Sequence, residues 1–329
     1  VSNFSGLQPT TLYYARAYIS TNDTTKYGKQ VSFYTTPSFS VPAGDGSEST
    51  PYQITNLEEL AWLMVSDTAW DKNYIQTTDI DATAGANWYD NKGFRPIGNP
   101  TTKFTGTYNG DTNTISNLFI SRPTEKFIGL FGYVNDGAEI KNLGVTKADI
   151  SGRGYIGGLT GIISEATIEN CHTSGELYAT GYDWMAYAGG IIGKNSGTLN
   201  ACYSSMNVTS SHSLLGGIVG ANRGTVKNCY TSGIITGTGH GRVGGFVGDN
   251  QNGIIKNSYS FGRVECDDHA TGGFNGYNQG TINQCFWNTE TSGQNNSEGG
   301  QGKTTLEMQN HLMFIDNGWD FMNETENGE

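Results

Sequence analysis

No run of roughly eighteen apolar residues occurs in the chain, so no segment has the length and polarity of a membrane-spanning helix. Charge is scarce as well. Only 15% of the 329 residues are Asp, Glu, Lys or Arg, and 31 acidic residues outweigh 19 basic ones. The net charge of −12 repels phosphate backbones and anionic lipid, which disfavours nucleic acid and membrane surfaces as partners. Histidine stands only at 172, 212, 240, 269 and 311, never as His-Glu-x-x-His, so zinc-protease chemistry finds no ligand frame. The five cysteines form no Cys-x-x-Cys pair and lack zinc-site spacing. The chain opens at Val1, without Met or a signal peptide, and reads as a piece of something longer.

What is present in excess is glycine, 47 residues, together with a repeat. "GGLTGIISEATIENCHTSG" (157–175) returns as "GGIIGKNSGTLNACYSS" (189–205), "GGIVGANRGTVKNCYTSG" (216–233), "GGFVGDNQNGIIKNSYSFG" (244–262) and "GGFNGYNQGTINQCFWN" (272–288). A degenerate first copy occupies 128–146. The second glycines fall at 129, 158, 190, 217, 245 and 273, in steps of 29, 32, 27, 28 and 28. Short apolar pieces at a period of about 28, without the i, i+3, i+4 pattern of a helix, suit one coil of a β-solenoid. The predicted fold is all-β, a right-handed parallel β-helix with short capping helices, since parallel crossovers are right-handed.

Each letter of the unit has a physical reason. Paired glycines permit close backbone approach, and Leu159, Ile191, Ile218, Phe246 and Phe274 after them point inward. Asn-x-Gly or Gly-Thr turns the chain, because Asn and Gly tolerate positive φ. Ile140, Ile168, Leu199, Val226, Ile255 and Ile282 form one apolar column. Two positions on, Asn142, Asn170, Ala201, Asn228, Asn257 and Gln284 mark a bend whose amides hydrogen-bond from coil to coil. The next column holds Leu143, Cys171, Cys202, Cys229, Ser258 and Cys285, where cysteine serves as a small buried apolar residue. In-register disulfides would need Cβ atoms about 3.8 Å apart, nearer than the coil spacing of about 4.8 Å, so buried thiols are expected. After them come His172, Tyr203, Tyr230, Tyr259 and Phe286, an aromatic stack.

A solenoid needs sealed ends, because open strand edges recruit other strands. Asn56 with Glu59 three residues later starts a front helix over 56–66, with Leu57, Leu60, Ala61 and Met64 as its apolar stripe. At the back, "EGGQGKTT" (298–305) has the ending of a phosphate-binding loop. The first glycine of that motif is replaced by Ser297, and no buried strand precedes it. Thr304-x-x-Glu307 is a capping box instead, opening a helix over 304–315.

The units "GLFG" (129–132), "GGLTG" (157–161), "GGIIG" (189–193), "GGIVG" (216–220) and "GGFVG" (244–248) resemble the GLUG-repeat proteins of bacterial cell surfaces. The segments 44–63, 94–120 and 285–308 resemble the lead-in and exit usual around such repeats, so the likeness covers roughly 44–322. It implies a right-handed β-helix in a secreted or surface-anchored, adhesin-like protein. Some relatives are immunoglobulin A-cleaving metalloproteases that carry these repeats outside the catalytic part. "LQPTTLYYARAYIS" (7–20) and "KQVSFYTTP" (29–37) resemble the end of a fibronectin type III domain, with Tyr13 as its corner tyrosine and about two strands present. The chain then divides into a fibronectin-like remnant at 1–37, lead-in coils and N-terminal cap at 38–127, repeats at 128–290, and C-terminal cap and tail at 291–329.

Few residues suggest chemistry. His212, His240 and His269 precede the second glycine of successive repeats by four or five residues and could line one turn edge. Turn columns are ordinarily solvated, and no metal or other cofactor is expected. A carbohydrate-active β-helix, lyase or hydrolase, would need a carboxylate pair or a calcium cluster with a basic residue in one cleft. The chain offers two stray pairs, Asp79 with Asp81 and Asp267 with Asp268. The strongest irregularity is the longest unit, whose added residues read "GELYATGYDWMAYAGG" (175–190). Insertions in a solenoid map to one face, often the binding face. Tyr178, Tyr182, Trp184 and Tyr187 are therefore the candidate ligand contacts, the plainer reading being that they cover the flank. The expected role is a non-catalytic extracellular binding or spacer region, with a host or microbial surface glycan or protein as partner.

Overall fold

A branched apolar residue on one strand meets its counterpart one coil later, and this match sets the architecture. Ile140 pairs with Ile168, Ile168 with Leu199, Leu199 with Val226, Val226 with Ile255 and Ile255 with Ile282, always parallel. The computed structural model describes residues 6–180, 186–211, 214–266 and 270–319. Parallel pairing stacks them as a β-solenoid of about 6 turns, as the column register predicts. The strands Tyr155–Gly157, Tyr187–Gly189, Leu214–Gly216, Arg242–Gly244 and Thr271–Gly272 form a second, five-stranded parallel sheet beside the main one.

The paired glycines act through space. A Cβ on Gly217 would lie 2.4 Å from the Gly245 carbonyl oxygen, below any tolerable contact with backbone. The residue after each pair is fully buried, from Leu159 to Phe274, and the rings of Phe246 and Phe274 stack at 4.6 Å. One continuous core runs from Ile54 to Trp287.

Two polar rows hold neighbouring coils in register, and the sequence reading confused their roles. Positive φ belongs to the bend column: Asn142, Asn170, Ala201, Asn228, Asn257 and Gln284 all lie between 45° and 56°. The expected amide ladder exists there only at the front. Asn142 Nδ2 donates to Asn109 and Asn170 Nδ2 to Asn142, whereas Ala201 breaks the row and Asn228 donates to Asn200 instead. The unbroken ladder lies in the Asn-x-Gly turns. Asn195 donates to Asn222 at 2.8 Å, Asn222 to Asn250 at 2.9 Å and Asn250 to Asn278 at 2.9 Å. These asparagines do not adopt positive φ. Oδ1 of Asn195, Asn222 and Asn278 accepts from the backbone N–H two residues on, at Gly197, Gly224 and Gly280, while Asn250 Nδ2 also donates to the Gly253 carbonyl. The turn is thus closed by a side chain that also links coils.

Cys171, Cys202, Cys229 and Cys285 are buried thiols, as expected. The backbone N–H of Cys171 donates to Cys202 Sγ and that of Cys202 to Cys229 Sγ, both at 3.4 Å. Burial pushes the Cys202 thiol well above its ordinary range and Cys285 up to about 12. His172, Tyr203, Tyr230 and Tyr259 stack at 4.8, 5.0 and 5.2 Å. Phe286 keeps the register but turns its ring against Phe314 and Trp319.

The front helix spans Leu57–Val65, with Asn56 Oδ1 accepting from Glu59 N at 2.9 Å and Leu60, Ala61, Leu63 and Met64 buried. At the back, the single predicted helix is two. Thr305–Met308 carries the complete Thr304/Glu307 capping box, and Asn310 then caps a second start at His311–Ile315. An N-cap residue in mid-segment favours a new helix over continuation. The first piece buries nothing, while the second places Phe314 over Phe286 at 5.5 Å. Gln301–Lys303 forms a parallel strand on Phe286–Asn288, so the glycine-lysine pair is part of the last rung. Residues 6–37 hold four short strands where about two were expected. Leu12–Ala15 is antiparallel to Val31–Tyr34, and Tyr18–Ser20 to Thr25–Tyr27. Gln8 N donates to the Tyr13 hydroxyl at 2.9 Å.

Candidate functional site

Of the four aromatic candidates of the long unit, the described residues include Tyr178 and Tyr187, which stand on different strands. Tyr178 ends the strand His172–Ala179, in register with Ser151 and Thr209, and is 44% exposed. Tyr187 opens the strand Tyr187–Gly189 and lies flat on Tyr155, ring centres 5.0 Å apart and planes 4° apart. One of its faces is therefore occupied. Tyr182 and Trp184 lie outside the described residues.

Following Tyr187 leads to a larger surface that sequence reasoning missed. Tyr155 is sandwiched between Tyr187 and Phe127, and Phe127 stacks in turn on Tyr133 at 5.9 Å. Lys103 reaches the Tyr133 ring at 5.4 Å and Lys194 the Tyr155 ring at 5.9 Å. Arg223 acts on both Lys194 and Tyr155. Burial first, then the charge of Arg223, lowers the Lys194 ammonium below its ordinary range. Burial and Tyr187 raise the Tyr155 phenol, while Arg223 opposes the rise. Further along, Arg223 donates twice to Gln251 Oε1, at 2.8 and 2.7 Å, and Gln251 donates to Asp249 Oδ2 at 2.7 Å. Asp249 pairs with Arg242, whose guanidinium covers the Tyr277 ring at 3.8 Å. Asp249 is fully buried, and its Oδ1 has no hydrogen-bond partner.

Two linked groups thus follow one another in a strip along the solenoid, rings and cations from Lys103 to Lys194, then Arg223, Gln251, Asp249 and Arg242 up to Tyr277, with the Arg223 charge acting between them. A signal for them was available in the sequence. Tyr133, Ile162, Lys194, Ala221, Asp249 and Tyr277 share one column, each directly after the last glycine of its unit. That column varies while its neighbours repeat.

The remaining candidates are dispersed. Asp79 accepts from the backbone and hydroxyl of Thr114, and Asp81 from Thr83 and Asn117. Those hydrogen bonds hold the Asp81 carboxyl at about 2, which keeps it ionised and unsuited to general-acid work. Asp267, Asp268, His212 and His269 lie outside the described residues, and His240 sits exposed in a turn. Among the described residues no group of three or more His, Cys, Asp or Glu is placed to hold a metal. No helix among them is long and apolar enough to cross a membrane.

Residues 239–265 match the family model of the GLUG motif. Halomucin of Haloquadratum walsbyi is 37% identical over 158 residues, which is 46% of this chain and 2% of Halomucin. A "Putative Gly-rich membrane protein" of Evansella cellulosilytica is 34% identical over 87 residues, 25% of this chain and 10% of that protein. The chain thus spans a small fraction of the relatives it matches. A solved "putative immunoglobulin A1 protease" from Bacteroides ovatus aligns at a TM-score of 0.66 and 21% identity, over 83% of this chain and 89% of that one. A second solved chain, "IgA1 Protease", aligns at 0.50 and 14%, over 96% and 27%. At such identities the likeness establishes a shared solenoid fold.

Proposed function

We propose that this chain is a non-catalytic, extracellular solenoid region of a bacterial adhesin-like surface protein. In this reading it engages a surface glycan or protein through the long unit, with Tyr178, Tyr182, Trp184 and Tyr187 as contacts. The carrying observation is the departure of that single unit from the coil step, with Tyr178 left exposed at its edge. The GLUG motif and the word membrane in a relative's name support the location. The four strands of 6–37 are, on this reading, the end of a fibronectin type III-like module.

A glycan and host-protein array probed with wild type and with Tyr182→Ala/Trp184→Ala tests the site. Loss of a binding signal in the variant supports it, since each stacked ring is worth about 1–3 kcal/mol by analogy with base stacking. An unchanged signal removes these residues from the site, and silence of both proteins leaves a spacer. An alternative role as an accessory region of a secreted metalloprotease is favoured by the names of the two solved chains sharing the fold. A carbohydrate-active enzyme is the further alternative, and release of reducing ends from the glycans of the array would replace the binding reading with it.

A further inference from the structure

We propose that the strip from Lys103 to Tyr277 docks an extended acidic polysaccharide laid along the solenoid axis. The inference rests on the reading of the chain as a binding segment and supplies a ligand class that reading lacks. Three cations, Lys103, Lys194 and Arg223, follow one another along this strip of a protein whose net charge is −12, and Arg242 beyond them is ion-paired with buried Asp249. Such clustering against the overall sign favours an anionic partner. The spacing favours a polymer, because coils repeat at about 4.8 Å and a chain with regular charges can meet successive rungs.

The ring geometry selects the kind of polyanion. Tyr155 has both faces covered, by Phe127 and Tyr187, and Tyr277 has one covered by Arg242. Nucleobases bind single-strand sites by stacking on open faces, which this strip does not offer at its centre. What it presents outward are ring edges, phenol hydroxyls and cationic heads. Those groups suit the hydroxyls and carboxylates of an acidic sugar chain. The depressed ammonium of Lys194 fits as well, since a nearby carboxylate would compensate for its lost hydration.

Direct binding measurements on the whole chain would use polygalacturonate, dextran sulfate, neutral dextran and single-stranded poly(dT). Polygalacturonate is expected to bind, and dextran sulfate, which carries regular negative charge as well, is expected to compete with it. Neutral dextran should not bind. Lys194→Ala/Arg223→Ala should weaken polygalacturonate roughly tenfold or more, as loss of charge-assisted contacts does. Lys194→Arg/Arg223→Lys should retain it. Lys227→Ala/Lys256→Ala removes the same charge from an exposed column across the Asn-x-Gly turn and should leave affinity within about twofold if the strip is specific. Absence of acidic-polymer binding, equal losses in the two alanine pairs, or tighter binding of poly(dT) each overturns the proposal. An array ligand lost with Tyr182→Ala/Trp184→Ala but untouched by Lys194→Ala/Arg223→Ala would keep the general function and discard the strip.

Discussion

Ala201 is a residue at which the sequence departs from the demands of its own column. It sits at a φ of 51° in a column otherwise held by Asn and Gln. A left-handed backbone costs an alanine about 1 kcal/mol that asparagine largely avoids. Ala201→Asn should therefore raise the urea midpoint, by up to about 1 kcal/mol in stability, without changing the slope. The thiols give a second expectation at this scale. Burial leaves Cys171, Cys202, Cys229 and Cys285 unreactive, and it also raises the thiol pKa of Cys202 and Cys285, while half-buried Cys266 stands apart from the column. A thiol reagent should modify at most about one group in the native protein and all five after denaturation. Equal reactivity in both states would contradict the packed column. At this scale the sequence was highly legible wherever a residue recurs at the period, since recurrence reveals a column. It was illegible at Arg223 and Arg242. Each occurs once in its column, and only three-dimensional adjacency makes them a group.

Caps and turns are the elements whose chemistry can be tested separately. Thr304 Oγ1 accepts from Glu307 N at 3.2 Å, and the Glu307 carboxylate returns the bond to Thr304 N at 2.7 Å. Thr304→Ala should destabilise by about 1 kcal/mol. Millimolar Mg-ATP should leave the unfolding temperature unchanged, since Lys303 lies in a strand rung; a shift abolished by Lys303→Ala would reverse this. Asp81 binds the turn at Thr83 and the bend at Asn117, and its carboxyl is held at about 2 against an ordinary 3.8. A depressed folded-state value contributes stability that is fully present above 3.8 and is lost as pH falls toward 2. In Asp81→Asn that portion of the acid sensitivity should vanish, as judged by urea midpoints across this window. The elements also mark where sequence reading stopped short. The capping boxes were visible because they are local, but the split of the back helix at Asn310 and the buried Asn195 ladder were not. An Asn near Gly reads as a turn residue of positive φ, and only burial shows Asn195, Asn222 and Asn250 to be a ladder inside the stack.

For the whole molecule, stability in a stack of this kind approximates a sum over coils and their interfaces. The match of Leu199 with Val226 and of Val226 with Ile255 has a corollary in modularity. Excision of residues 217–244 removes one complete turn and joins Gly216 to Gly245. Leu199 would then meet Ile255 and Cys202 would meet Ser258, each a pairing of like with like. Such a shortened chain should fold, unfold with a proportionally smaller slope, and measure about 4.8 Å less along its axis. Deletion of half that length would set apolar columns against turn columns and should fail to fold. The protein is in this sense a ruler graduated in single rungs, whose reach can be lengthened or shortened by whole units of sequence without redesign of either end.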